Sequence, residues 1–141
     1  MSRAGYSDDC DGWALIRWRG AVKSAIRGER GQQFLRELAE AMDAMPEKRL
    51  IAHALQEAGC HCTLGVIGAA RGIDMSTIDP ENAEQVSAEF GIAPALAKEI
   101  VFENDEVGEF AFPYDEHETP EARWQRMRAW VNANLSQANV A

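Results

Sequence analysis

The chain contains 141 residues, of which 46% are hydrophobic and 26% are charged, and its formal net charge at pH 7 is −9. This composition is typical of one globular domain with a hydrophobic core, and it excludes an intrinsically disordered chain. No apolar run approaches the roughly 20 residues that span a bilayer, and the opening MSRAGYSDDCDG lacks the apolar stretch of a signal peptide. Three cysteines are an odd and sparse set for a disulfide scaffold, so we expect a reduced, cytoplasmic protein without a membrane partner.

Charge is distributed unevenly along the chain. Residues 1–50 hold nine Lys/Arg and eight Asp/Glu, whereas residues 51–141 hold five and fifteen. Such asymmetry says little about the fold but bears on partners. The C-terminal part would repel nucleic acid, and it would attract a basic protein surface, including a groove that normally holds nucleic acid.

Apolar residues at three- and four-residue spacing predict two helices in the first third of the chain. We expect residues 1–12 to form a flexible N-terminal arm and residues 13–141 to form a single helical domain. The first helix starts at Trp13, and the second covers GQQFLRELAEAMDAM and stops before Pro46. The predicted inward-facing residues of the two helices are Leu15, Trp18, Val22, Ile26, Phe34, Leu35, Leu38, Ala41, Met42 and Met45.

Residues 49–72 are ambiguous between helix and strand. Leu50–Leu55 fits a short helix, but the same run fits a strand that pairs with Cys62–Ile67 in a β-hairpin. Glycines at 65 and 68 each weaken a helix by about 1 kcal/mol. The sequence leaves both alternatives open, a short β-hairpin around 49–67 or a loosely helical segment.

Three further helices are marked by their end signals. Asp79 and Pro80 predict a helix start and Gly91 its end, Pro94 opens the next helix, and Thr119 with Pro120 opens the last. The short turn at Gly91 also fits a helix-turn-helix, but PALAKEIVFEN offers a single cation, so a packed helical hairpin is favoured. The sequence predicts a mainly α fold, a single compact domain of five to six helices.

The order of three segments resembles a group of small acidic proteins of tailed phages and prophages. These segments are DGWALIRWRGAVKSAIRG, CTLGVIGAARGID, and ENDE followed by ETPEARWQRMRAWV. The likeness spans most of the chain and implies a phage or prophage setting in a bacterial host cell, without implying an established activity. Accessory proteins of this class, anti-CRISPR and other anti-defence proteins among them, act by binding a host protein.

The stretch ENDEVGEFAFPYDEHETPE, residues 103–121, holds eight carboxylates and three aromatic side chains but no lysine or arginine. Carboxylates beside aromatic anchors can occupy a basic groove that evolved for phosphates. A solvated loop is the alternative interpretation. The predicted partner-binding residues are Glu103, Asp105, Glu106, Glu109, Phe110, Phe112, Tyr114, Asp115 and Glu116.

The first helix offers a second candidate surface, with cations interleaved among tryptophans. Arg17, Arg19, Lys23 and Arg27 could bind a nucleic-acid backbone, or they could pair with the acidic half of the chain itself. The second interpretation is favoured. A homo-oligomeric assembly protein with a tryptophan stripe as its interface remains a third alternative.

Metal binding and catalysis have weak support in the sequence. Cys60-His61-Cys62 places three soft ligands together, but structural zinc sites need four ligands and no second cysteine pair exists, so buried thiols are favoured. No nucleophile elbow and no phosphate-binding glycine loop is present. We therefore expect a non-enzymatic protein without a cofactor.

Overall fold

A computed structural model describes residues 12–107 and 118–136 of the chain. The described part is mainly α, as predicted, with six α-helices and one short antiparallel hairpin. In chain order the elements are α1 (Gly12–Arg27), α2 (Glu29–Asp43), β1 (Gln56–Glu57), β2 (Cys60–His61), α3 (Thr63–Ala70), a 3₁₀ turn (Met75–Thr77), α4 (Ala83–Phe90), α5 (Pro94–Phe102), a π-helical turn (Glu103–Val107) and α6 (Pro120–Asn134).

The core is built around α2, which packs against α1, α3 and α6. Leu35, Leu38 and Met42 of its predicted stripe have no exposed surface, whereas Ala41 and Met45 are half-buried. Met127 and Val131 of α6 also have no exposed surface. Full burial of an aliphatic side chain contributes about 1.5–3 kcal/mol, so these contacts hold the helices together. The further members of the core cluster are Phe34, Ala39, Leu50, Leu55, Cys62, Leu64, Val66, Ile67, Met75, Ile78, Val86, Phe90, Ile92, Leu96, Ala97, Ile100, Val101 and Trp124.

Close backbone contacts at two glycines set how neighbouring elements pack. A Cβ atom added at Gly31 would lie 1.9 Å from the carbonyl oxygen of Ala25. The backbone of α2 at Gly31 therefore packs directly against the C-terminal part of α1. A Cβ atom at Gly65 would lie 1.9 Å from the carbonyl oxygen of Leu55. Gly65 therefore lets α3 pack directly beneath the hairpin, which outweighs its weak helix propensity.

Residues 49–72 contain both a hairpin and a helix. The hairpin pairs Gln56 with His61 and Glu57 with Cys60. The two turn residues between these strands, 58 and 59, have φ values of 50° and 79°, as a tight primed turn requires. The predicted pairing of Leu50–Leu55 with Cys62–Ile67 is wrong, because α3 begins at Thr63 and the hairpin closes before it.

Of the four end signals predicted for the last three helices, three hold. Gly91 ends α4 with φ 70°, Pro94 opens α5, and the Thr119 side chain accepts a hydrogen bond from a backbone N–H of the first turn of α6. The predicted start at Asp79 is wrong: Asn82 caps α4, and the Asp79 carboxylate accepts from a backbone N–H in the preceding turn. Among the described helices, none combines the length and apolarity that a bilayer crossing requires.

Candidate functional site

The π-helical turn at Glu103–Val107 continues α5 and has two buried polar side chains. Asn104 is 2% exposed and Asp105 is 3% exposed. A π turn inserts one extra residue into the helical repeat, and such turns are frequent at functional sites. This turn carries the first part of the acidic stretch into the protein interior, where it meets α3, α6 and the segment around Ile51.

Asn104 links the turn to two other parts of the chain. Its Oδ1 accepts hydrogen bonds from the backbone N–H of Thr63 at 3.1 Å and from the Thr63 hydroxyl at 2.8 Å. Its Nδ2 donates to the carbonyl oxygen of Ile51 at 2.9 Å and to Asp105 Oδ1 at 2.7 Å. All four bonding positions of the amide are used, so Asn104 fixes the N-terminus of α3 and the Ile51 segment against the turn.

Asp105 also holds a strained residue in place. The backbone N–H of His53 donates to Asp105 Oδ1 at 3.1 Å, and His53 has φ 69°. A left-handed conformation costs a residue with a Cβ atom roughly 1–2 kcal/mol. The buried carboxylate therefore offsets part of that strain by accepting the His53 amide.

Glu118 is buried and is held by two arginines of α6. Its carboxylate accepts from Arg126 at 2.7 and 2.9 Å in a two-bond arrangement, and Arg123 lies 3.3 Å away. Arg126 also donates to the carbonyl oxygens of Glu103 at 2.6 Å and Asn104 at 3.4 Å. One guanidinium thus contacts residues on both sides of the segment 106–117, namely Glu103 and Asn104 before it and Glu118 after it. We call Asn104, Asp105, Glu118, Arg123 and Arg126 the polar cluster.

A pair of carboxylates, Glu99 and Glu103, lies next to the polar cluster. Glu99 is 2% exposed and accepts from Arg19 of α1 at 2.7 Å. Burial raises the pKa of Glu103, and the neighbouring Glu99 carboxylate raises it further. Arg126, 3.9 Å away, opposes the shift by stabilising the charged form. Two carboxylates one helical turn apart therefore compete for nearby cations, and protonation of one relieves their repulsion.

The structure places the predicted partner-binding residues in three different settings. Asp105 is buried and Glu103 has a side chain 19% exposed, so the expectation that they present charge to a partner is corrected: both contribute to interior contacts. Glu106 is half-buried. The remaining six residues lie outside the described residues: Glu109, Phe110, Phe112, Tyr114, Asp115 and Glu116.

The predicted cationic residues of α1 separate into two groups. Arg17, Lys23 and Arg27 are exposed and form no ion pair with any described residue. Arg19, by contrast, pairs with buried Glu99, which is the intramolecular pairing favoured from the sequence. Lys98 lies 4.6 Å from the centre of the Trp18 ring, so α1 is joined to α5 by a second charged contact.

The two cysteines near the hairpin differ in burial. Cys62 is buried and its Sγ accepts from the backbone N–H of Gly65 at 3.4 Å, capping α3. Cys60 is half-buried, so the interpretation of both thiols as buried holds for Cys62 alone. Burial lowers the pKa of His61. In the part of the chain that the structure describes, no group of three or more His, Cys, Asp or Glu residues is arranged to hold a metal ion.

Sequence reasoning missed the residues that organise this site, namely Asn104, Glu118, Arg123, Arg126 and Glu99. Residues 103–121 contain no Lys or Arg, and the sequence analysis therefore overlooked the counter-charges that follow directly on the first turns of α6, Arg123 and Arg126. The three-residue spacing of Arg123 and Arg126 places both on one helix face, and this spacing could have indicated that they share an acidic partner. Asn104 gave no signal, because its partners are 41 and 53 residues away.

Comparison with known proteins gives no relative for this chain: no protein-family model, curated protein or solved structure matches it. What the site can do therefore follows from its own geometry. The residues of the polar cluster hydrogen-bond to one another and to nearby backbone groups, and Arg126 links the residues on the two sides of the segment 106–117.

Proposed function

We propose that this chain is a phage- or prophage-encoded accessory protein that binds a host protein through the acidic, aromatic-bearing segment 106–117. The protein acts by binding rather than by catalysis, and its partner has a basic surface. A host defence protein that normally holds nucleic acid is the class of partner that fits this chemistry, because a row of carboxylates can replace phosphates in a basic groove.

The observation that carries the proposal is that Arg126 contacts residues that flank the segment on both sides. Its guanidinium bonds the carbonyl oxygens at the start of the π turn and the carboxylate of Glu118. Folding therefore already brings the two sides of the segment together, and the entropic cost of closing the segment is not added when a partner binds. A binding segment closed in advance loses less conformational freedom on association than an open chain does.

The charge balance around the segment supports a basic partner. Residues 106–117 contain Glu106, Glu109, Asp115 and Glu116 and no lysine or arginine. The nearest arginines in the chain direct their hydrogen bonds to Glu118 and to backbone carbonyls. Phe110, Phe112 and Tyr114 would provide the apolar anchors that charge alone does not supply.

A pull-down from a bacterial host at low salt tests the proposal. Tagged protein, with and without nuclease treatment, is compared with the double reversal Asp115→Lys/Glu116→Lys. The matched control is Glu40→Lys/Glu57→Lys, which changes the net charge equally at two exposed positions of α2 and β1. A nuclease-resistant host protein should be captured by the unmodified chain and the control and lost from the segment variant. Equal capture by the segment variant would contradict the proposal.

The exposed cations of α1 support a second candidate function, direct binding of a nucleic-acid backbone. Arg17, Lys23 and Arg27 are available for phosphates, whereas Arg19 is committed to Glu99. Replacing the three exposed cations with alanine should lower affinity for labelled duplex DNA and flatten its salt dependence. Unchanged affinity or undetectable binding at low salt would exclude this candidate.

A further inference from the structure

A groove of about 580 Å³ lies between the end of α2, α3 and the tip of the hairpin, and we call it the α2–α3 groove. Its floor consists of small and aliphatic side chains, Ala41, Met45, Val66, Ala69 and Ala70. Ala69 and Ala70 are exposed, as are Ala44 and Pro46, which also line the groove. Exposed apolar surface of this kind is typical of interaction sites. Among the described lining residues none belongs to the polar cluster, so a contact at this groove is independent of the function proposed above.

The α2–α3 groove carries one charge of each sign beside its apolar floor. Among the described lining residues, Glu47 is the one acid and Arg49 the one permanently charged base. Lys48, between them in the sequence, contacts α6 instead, since its Nζ lies 5.6 Å from the centre of the Trp124 ring. A ligand with a single charge of either sign is therefore attracted by one of the two side chains and repelled by the other. A partner with both charges at matching positions is attracted by both.

A second copy of this chain is a partner with both charges. Within one copy Glu47 pairs with Arg49 at 2.7 Å, but the two side chains are 71% and 45% exposed, and ion pairs this exposed are weak because water screens them. Exchanging this pair for equivalent pairs between two molecules therefore costs little. In a twofold arrangement the same surface of both copies meets, so Glu47 of each copy can face Arg49 of the other.

The shape of the groove also suits a twofold contact. The hairpin forms one wall, and its tip consists of Ala58 and Gly59, which are both exposed and carry no more than a methyl group. A Cβ atom added at Gly59 would have no described atom within 4 Å, so the tip stands clear of the described chain around it. Each copy thus presents a narrow wall next to an apolar groove. Two copies related by a twofold axis can each place this wall on the floor of the other.

We propose that the α2–α3 groove is a self-association surface, through which two copies of this chain form a twofold dimer with Glu47 of each copy paired with Arg49 of the other. Removal of the apolar floor from water favours the contact. The formal net charge of −9 on each copy opposes it. The dimer should therefore strengthen with salt, in contrast to the host-protein contact proposed above, which salt weakens.

Sedimentation equilibrium from micromolar to millimolar protein concentration tests the proposal. The measurement is made at about 0.01 M and about 0.15 M salt, where the screening lengths are about 30 Å and about 8 Å. The chain should be a monomer at the lowest concentrations and a dimer at the highest, with the tighter association at the higher salt. A monomer at every concentration, or weaker association at the higher salt, would overturn the proposal.

Charge reversal at the two edge positions tests the pairing between copies. Glu47→Arg alone and Arg49→Glu alone each place like charges opposite one another, and each should weaken self-association by about tenfold or more. An equimolar mixture of the two variants should form a mixed dimer about as readily as the unmodified chain, because every arginine then faces a glutamate. Glu40→Arg and Arg36→Glu, at exposed positions of α2 outside the groove, are the controls and should each associate normally without mixing. No recovery on mixing the two edge variants would overturn the proposal.

A charge on the floor of the groove tests the apolar contact. Ala69 is exposed in the single copy, so Ala69→Glu should leave the circular dichroism spectrum unchanged and abolish self-association, because the dimer would bury a carboxylate without a partner. Ala129→Glu, which changes the net charge equally at an exposed position of α6, is the control and should associate normally. Equal losses in the two variants would overturn the proposal, since net charge and not the groove would then govern association. Capture of a host protein through the segment 106–117 should be the same for Ala69→Glu and the unmodified chain, so a failure of the self-association surface is distinguishable from a failure of the proposed function.

Discussion

Replacing Arg126 with methionine should destabilise the protein far more than an ordinary loss of an ion pair. Methionine keeps much of the aliphatic length of arginine, but it leaves the carboxylate of Glu118 with Arg123 at 3.3 Å as its remaining arginine contact. The Glu118 side chain is 3% exposed, so water cannot compensate for the lost guanidinium. The carbonyl oxygens of Glu103 and Asn104 lose a donor as well.

The size of the effect follows from burial. Removing one partner of a buried ion pair costs about 3–5 kcal/mol. Arg126 is 23% exposed and Arg123 remains, so we expect a loss of about 2–3 kcal/mol in the free energy of unfolding. With a urea dependence of about 1–3 kcal/mol/M, the unfolding midpoint should fall by roughly 1 M.

Arg128 provides a matched control on the same helix. Its guanidinium makes the same kind of two-bond contact with Asp43, at 2.8 and 3.1 Å, but Asp43 is 56% exposed. Arg128→Met should therefore cost about 1 kcal/mol or less. Urea unfolding followed by tryptophan fluorescence compares the two variants. Equal losses for Arg126→Met and Arg128→Met would refute the reasoning that the buried cluster ties the two ends together.

A compensating substitution gives a second check on the same interaction. In the Arg126→Met background, Glu118→Gln removes the buried charge that has lost its main partner. The double variant should be more stable than Arg126→Met alone, because a neutral amide is less costly to bury than a poorly paired carboxylate. A further loss of stability in the double variant would show that Arg126 is not the group that makes Glu118 tolerable in the interior.

Three further predictions concern the stability of the folded protein. Burial raises the pKa of Glu103, so the folded state binds more protons than the unfolded state. The stability of the protein therefore falls as the pH rises through that pKa. Glu103→Gln should stabilise the protein at about pH 8 and have little effect at about pH 4. Asn104→Asp should be more destabilising at neutral pH than Asn104→Ala. It places a negative charge beside the Ile51 carbonyl oxygen and the Asp105 carboxylate, which accept from the amide of Asn104 in the unmodified chain. The loss of stability caused by Asn104→Asp should decrease in acid. Gly31→Ala should be strongly destabilising because of the 1.9 Å approach to a carbonyl oxygen, whereas Gly20→Ala, with no atom within 4 Å of its added Cβ, should stabilise α1 by about 0.5–1 kcal/mol.

Thermal and urea unfolding of each variant between about pH 4 and pH 8 checks all three. A pH-independent effect of Glu103→Gln would contradict the assigned cause of the raised pKa. For Asn104, equal costs of the two variants at every pH would mean that the amide donor is not required. Comparable stability of Gly31→Ala and Gly20→Ala would show that α1 and α2 adjust their packing freely.

Features set by neighbouring residues could be predicted from the sequence. The Pro94 start, the Gly91 end and the Thr119 cap depend on bonds within one helical turn, and all three are present. The start of α4 was misplaced because Asp79 and Asn82 are both good capping residues, and the local pattern does not decide between them. Buried stripes on α2 followed from the spacing of apolar residues alone.

The candidate site could not be predicted, because tertiary contacts determine it. A π turn inserts a residue at a position that helical periodicity does not mark, and here its polar side chains are satisfied by Thr63 and Ile51 from distant parts of the chain. An acidic stretch also gives no indication of which carboxylates face inward. Asp105 and Glu118 are buried with hydrogen-bond partners, although in the sequence they look like the rest of the run.

The most direct test of the central claim is the salt dependence of binding between this chain and the host protein that the pull-down identifies. Isothermal titration at increasing salt compares the unmodified chain with Asp115→Lys/Glu116→Lys and with the control Glu40→Lys/Glu57→Lys. Affinity of the unmodified chain should fall steeply as salt shortens the screening length from about 10 Å at 0.1 M, the control should follow it closely, and the segment variant should show no measurable binding. Salt-independent affinity that survives the segment reversal would contradict the account.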